Sequence, residues 1–142
     1  MERFTLKPAV HLFLIKDNKV LLLRRFKTGW EDGNYSVPAG HLDGNETAKS
    51  AIAREALEEA CIKINLEDLE MIHVMHRKSE EERIDFFSTT QKWDGEIKIG
   101  EPNKCDDLSW FPLDQLPSNT IPYIREALKN YQNKIFYSEF GW

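Results

Sequence analysis

The chain of 142 residues is 41% hydrophobic and 11% aromatic, with 7 glycines, 6 prolines and 30% charged residues, which suits one domain over residues 1–142 and excludes collagen-like, low-complexity and disordered chains. Its 19 basic and 24 acidic residues leave a net charge of −5, the wrong sign for wrapping a nucleic-acid polymer, so an anionic partner is expected to be small and met by a local basic site or a bridging cation. The longest apolar runs, Val10 to Ile15 and Val20 to Leu23, fall far short of the ~20 residues of a membrane span, and Met1-Glu2-Arg3-Phe4 lacks the basic and apolar stretches of a secretory signal, so no membrane contact and a cytoplasmic location are expected.

Ala9 to Lys16 and Lys19 to Arg25 are apolar, β-branched or leucine-rich runs joined by the turn-tolerant pair Asp17-Asn18, and they read as a β-hairpin. Phe26 to Asn34 is a loop carrying two glycines; Tyr35 to Val37 makes a short strand that Pro38 ends, and a second loop runs from Gly40 to Asn45. Thr47 to Ala60 is rich in good helix formers, with Asn45 or Thr47 as N-cap. At ~100° per residue, Ile52, Ala53, Ala56, Leu57 and Ala60 share one apolar side, and Glu55, Glu58 and Glu59 an adjoining arc. Cys61 and Cys105 read as reduced core thiols.

Ile62 to Arg77 and Arg83 to Trp93 contain strand-like stretches, separated by the polar segment Lys78 to Glu82 and followed by an Asp94-Gly95 turn. Leu108 to Leu113 is another strand. Ser118-Asn119-Thr120 can cap a second helix from Ile121 to Tyr131, in which Ile121, Ile124, Ala127, Leu128 and Tyr131 repeat at helical spacing. The closing aromatics Phe136, Tyr137, Phe140 and Trp142 are expected to pack on the core. The sum is an α/β (α+β) fold with helices on a mixed sheet.

The three clustered glutamates carry the chemical signal. Like charges three and four residues apart repel, and carboxylates near the end of a helix face the negative end of its dipole. Such a group calls for a cation, and Mg²⁺ or Mn²⁺ is the hard ion that takes carboxylate oxygens while sharing its remaining positions with phosphates. The alternative is a solvated acidic face. His73-x-x-His76 matches no usual zinc spacing and would point to opposite faces of a strand.

Gly40, Glu46, Arg54, Glu55, Ala56, Glu58, Glu59 and Ile62 match G-x5-E-x7-R-E-U-x-E-E-x-G-U, the signature of the Nudix (MutT-like) hydrolases, with Cys61 in place of the last glycine. A residue with a Cβ is disfavoured in the left-handed turn that glycine makes, so an altered helix exit is expected. The resemblance implies an α/β/α sandwich with a loop-helix-loop box, in which Glu55, Glu58 and Glu59 bind Mg²⁺ (or Mn²⁺), the Gly40 carbonyl adds a ligand, and Arg54 pairs with Glu46 to orient the loop. It also implies hydrolysis of a pyrophosphate linkage in a small nucleotide, with metal ions neutralising phosphate charge and activating water. Loop similarity to MutT-like enzymes makes Glu101 a further metal-site carboxylate and, with Glu59 and Glu58, a candidate base. It makes Arg25 a phosphate contact and Asn119 a base reader; the plain alternatives are an exposed loop acid, an edge-strand charge and an N-cap.

A nucleoside triphosphate is the expected substrate, because the chain lacks the proline and tyrosine that the family uses past the box for ADP-ribose and diadenosine polyphosphates. A nucleotide sugar, a dinucleotide, or nucleotide binding with weak turnover are the other readings. The protein is expected to act as a monomer or homodimer.

Overall fold

The computed structural model describes every residue from Met1 to Trp142. Its strands are β1 (Lys7–Lys16), β2 (Lys19–Arg25), β3 (Tyr35–Ser36), β4 (Ala39–His41), β5 (Glu70–Lys78), β6 (Glu82–Thr90), β7 (Cys105–Pro112) and β8 (Tyr137–Phe140); its helices are α1 (Ala48–Ala60) and α2 (Pro122–Gln132). The expected hairpin forms, with Asp17 and Asn18 both at positive φ, the geometry that a two-residue turn between twisted strands requires.

The sheet is mixed. β1 runs parallel to β6 from Lys7↔Arg83 to Leu14↔Thr90; β5 lies antiparallel on the far side of β6, and β8 closes that edge parallel to β5. On its other flank β1 changes partner: Ala9 to His11 pair with β4, and only Ile15 and Lys16 reach β2. β2 then carries β3 and β7. The strand β1 therefore belongs to two arms, and a cleft opens between them.

Alternation along β1 explains the two cores. Val10, Leu12 and Leu14 pack with Ala51, Ile52, Ala56 and Ala60 of α1, and Phe13 faces the opposite cluster with Ile124, Ala127 and Leu128 of α2. In β2, Leu21 joins the first cluster and Val20 and Leu22 the second. Strands buried on both faces read as continuous apolar runs, as these do. The result is the α/β/α sandwich that the sequence implies.

Several local expectations are corrected. Ala39–His41 is a strand, where a loop was expected from Gly40, and β7 begins at Cys105 rather than Leu108. Of the stretch from Ile62 to Arg77 only Glu70 onward is strand; before it lie a bridge between Lys63 and Asp94 and a single 3-10 turn, Leu66–Asp68. Helix α2 has no side-chain cap: its N-cap is Ile121, and Pro122 at the first helical position has no N–H to satisfy. Cys61 is only half-buried, while Cys105 is buried; both are free thiols. Two of the closing aromatics lie in the unforeseen β8, where Phe140 packs on the core and Tyr137 is exposed, and Phe136 and Trp142, outside the strand, are exposed as well. No helix is long and apolar enough to cross a membrane.

Candidate active site

Helix α1 starts where Thr47 accepts a hydrogen bond from Ser50 N at 3.1 Å, which settles the N-cap on Thr47. It ends at Cys61, which takes the left-handed conformation itself (φ 60°) and donates its N–H to the carbonyls of Ala56 and Leu57. The expected change of exit therefore does not occur; the cysteine accepts the glycine geometry. The helix end is then covered by the segment before Glu101. Lys98 N donates to Ala60 O (3.2 Å) and Gly100 N to Glu59 O (3.0 Å), so carbonyls that a helix end leaves open are satisfied. Gly100 lies so close that a Cβ there would overlap the Glu58 carbonyl. This docking brings Glu101 to the carboxylates of α1.

Glu59 is the centre of the group. Both its oxygens accept from Ala39 N, at 3.2 and 3.3 Å, and no cation pairs with it. Burial holds its carboxyl well above the usual carboxylate range; the charges of Glu55 and Glu101 push the same way and the Ala39 N–H opposes them. Burial also raises Glu55, against the pull of Arg54 and with Glu58 and Glu101 adding to it. The Glu58 side chain is 48% exposed. Glu101 is a third exposed and reaches Lys104 Nζ at 3.7 Å. Gly40 packs so closely against Glu55 that a Cβ there would displace that carboxylate.

Arg54 ties the box loop to the helix. Its guanidinium meets Glu46 Oε1 at 2.9 Å, Asp43 at 3.2 Å, Glu55 at 2.8 Å and Glu58 at 3.7 Å, and it donates to the His41 carbonyl at 3.2 Å. Glu46 in turn accepts from Asp43 N at 2.9 Å.

Glu55, Glu58, Glu59, Glu101, Gly40 and Arg25 line one cleft of about 960 Å³. Arg25 donates to Trp30 O (2.7 Å) and Thr28 Oγ1 (2.9 Å) and stacks over the Trp30 ring at 4.8 Å. Asn119 is not in this cleft; its amide donates to the Gly33 carbonyl at 2.7 Å and bolts the loop before β3 to the one before α2. A second groove of about 880 Å³ at Lys16, Lys63 and Trp93 holds none of these carboxylates.

The sequence reading missed the cleft's floor. His11 Nδ1 lies 3.1 Å from Phe86 O and its Nε2 2.9 Å from the Tyr123 hydroxyl; since a carbonyl can only accept, the partners assign the proton to Nδ1 and make Tyr123 the donor to Nε2. Arg77 gives Asp85 two hydrogen bonds, at 2.6 and 3.3 Å, and lies 3.7 Å above the Tyr123 ring. Arg77 and Asp85 sit in unremarkable strand sequence, so no motif exposes them. Trp30, an aromatic between two loop glycines, is the one signal that was available.

An all-oxygen donor set of four carboxylates, one of them half-buried and in no ion pair, is the donor chemistry that suits a hard divalent cation. Glu55, Glu58, Glu59, Glu101 and Gly40 line the cleft together, but the carboxylates as they stand do not close into a ready metal-holding group.

Residues 5–131 match the family model for the NUDIX domain. An ADP-ribose pyrophosphatase of Methanocaldococcus jannaschii is 28% identical over 134 residues, covering 91% of this chain and 76% of that protein. The crystal structure of a MutT NUDIX hydrolase from Burkholderia pseudomallei superposes with a TM-score of 0.81 at 26% identity, covering 89% of this chain and 98% of that one. A MutT protein from Methanosarcina mazei Go1 shares the fold, with a TM-score of 0.77 at 18% identity over 90% and 94% of the two chains.

Proposed function

The chain belongs to the NUDIX family, a hydrolase of pyrophosphate linkages, and we propose that it is a Mg²⁺-dependent enzyme whose substrate is a nucleoside triphosphate. The observation that carries this is that Glu55, Glu58, Glu59 and Glu101 line one cleft, with Glu59 half-buried and in no ion pair. Bound there, Mg²⁺ or Mn²⁺ supplies Lewis-acid neutralisation of phosphate charge and a more acidic water. Glu55, Glu58, Glu101 and the Gly40 carbonyl would hold it.

Glu59 takes the proton of the attacking water. A carboxylate whose ionised form is disfavoured by burial is a stronger base than one in solvent; burial raises both Glu55 and Glu59, and Glu59 is the one with no arginine paired to it. Glu58 and Glu101 are less enclosed and serve as ligands first. Arg54, through Glu46 and the His41 carbonyl, sets the loop that presents Gly40; Arg25, whose hydrogen bonds go only to uncharged oxygens, keeps its charge for a phosphate. The protein works in the cytoplasm as a single domain over residues 1–142, as a monomer or homodimer, on a small molecule. A nucleoside diphosphate sugar is the second reading, favoured by the 28% identity to an ADP-ribose pyrophosphatase.

The test is release of phosphate or pyrophosphate from nucleoside triphosphates, ADP-ribose, other nucleotide sugars and dinucleotides in Mg²⁺, with Glu58→Gln beside the native protein. Turnover of triphosphates that falls about 100-fold or more in Glu58→Gln is the expected result. Preferential turnover of ADP-ribose would transfer the assignment to the second reading. A nucleotide that raises Tm without being hydrolysed would make the cleft a binding site only.

A further inference from the structure

With Asn119 outside the cleft, the part of the substrate farthest from its phosphates needs another reader. We propose that Arg77 is that residue: a guanidinium fixed edge-on at the cleft wall that selects nucleobases presenting a carbonyl oxygen over adenine. This deepens the hydrolase reading and rests on it for the position of the phosphates.

The argument begins with placement. β4, which carries Gly40, is separated from β5, which carries Arg77, by β1 and β6. Three strand spacings of ~4.8 Å put Arg77 about 14 Å across the sheet from the carboxylate end, a span that a nucleoside joined to its phosphates can bridge. His11, Asp85, Arg77 and Tyr123 all lie on the α2 face, and Arg77 lines the cleft although only 7% of it is exposed.

Its orientation is fixed from below. Nε and Nη2 donate to Asp85, the ring of Tyr123 supports the guanidinium plane, and the Tyr123 hydroxyl is itself held by His11. Nη1 has no partner within the chain, so the donors left to a ligand are all N–H groups in one plane. Arginine offers no acceptor. The O6 and N7 of guanine, or a uracil carbonyl, present only acceptors to such an edge, whereas adenine sets its exocyclic amine, a donor, beside its single acceptor N7.

Charge separates a base from a phosphate at this position. Asp85 is wholly buried and cancels the charge of Arg77, so the edge presents directed donors with little net field, the match for a neutral carbonyl. The side chain that retains an uncancelled contact set is Arg25, on the phosphate side.

Binding of GMP, UMP and AMP in Mg²⁺, measured by calorimetry, tests this separately from the hydrolase assay, because a monophosphate carries no pyrophosphate linkage to cleave. The native protein is expected to bind GMP and UMP about tenfold or more tighter than AMP, the discrimination of one good donor edge. Arg77→Met combined with Asp85→Leu removes the ion pair as a unit, which leaves no buried charge unpaired; the three affinities should then fall within about twofold of one another. Arg77→Lys, which keeps a charge for Asp85 but loses the fork, should give the same collapse if the double variant folds poorly. Equal binding of the three by the native protein, or a preference that survives both variants, overturns the proposal. So does an equal loss for all three nucleotides matched by a loss of inorganic phosphate binding, which would make Arg77 a phosphate contact.

Discussion

At the scale of single residues, the site is built from groups that fold at a cost. Glu59 is charged in water and enclosed in the protein, so its folded-state pKa lies above its ordinary value. The ionised form is therefore disfavoured by folding; the penalty is absent below the unfolded pKa and complete above the folded one. Glu59→Gln, which keeps the shape, is expected to raise Tm at about pH 8 in EDTA and to leave it unchanged near pH 4, while hydrolysis falls by orders of magnitude. A thermal melt at both pH values with a turnover assay checks this. His11 gives the opposite dependence. Burial lowers its imidazole to about 4 from 6.5. As pH falls, the unfolded chain takes up the proton first, so stability is intact above pH 6.5, declines as the pH drops toward 4, and loses about 3 kcal/mol across that window. Melts of His11→Gln from pH 7 to pH 4.5 should show a markedly shallower decline than the native protein; parallel curves would refute the assignment.

At the scale of elements, α1 and the segment that docks on its end form the working unit. The helix was legible because good formers, an N-cap and a divided surface all agree over one stretch, and its three glutamates stand on the arc that their spacing assigns. What the sequence concealed were contacts between distant pieces. Asn119 looked like a cap or a base reader, but a residue before a helix can also serve a loop eighty positions away. β8 carries a short run of aromatics whose only strand signal is alternation, and it pairs because β5 leaves an open edge. Cys61 stands in the left-handed turn with φ 60°, where a Cβ costs roughly 1 kcal/mol. Cys61→Gly is therefore expected to stabilise by up to about 1 kcal/mol, read by denaturant titration, with turnover retained. Gly100→Ala should do the reverse. Its methyl has no space beside the Glu58 carbonyl, so the segment lifts, Glu101 leaves the group, and both Tm and turnover fall.

At the scale of the whole molecule, the carboxylates and the folded state are linked through the cation they attract. If Mg²⁺ binds only the native chain, a concentration 100 times its Kd stabilises by about 2.7 kcal/mol. A Mg²⁺ titration followed by Tm should show that rise in the native protein and a much smaller one in Glu58→Gln, whereas a merely solvated acidic face would respond weakly and alike in both. Helices on a mixed sheet were legible in the order of the elements, and the sandwich through the resemblance of the Gly40–Ile62 stretch to the Nudix signature. The cleft was not, because it exists only where β1 changes partners.

That arrangement also fixes when the site can come into being. The parallel ladder between β1 and β6 joins Lys7–Leu14 to Arg83–Thr90, so the chain must close a long loop before this ladder forms, and contacts so far apart in sequence slow folding. A nascent chain ending before β6 already contains the whole of α1 with its glutamates, yet it lacks Asp85 and Glu101 and has nothing to hold Arg77. During synthesis the acidic helix is therefore made early and the cleft late, and a nucleotide can act as a folding ligand only for a chain that has emerged at least as far as Tyr123.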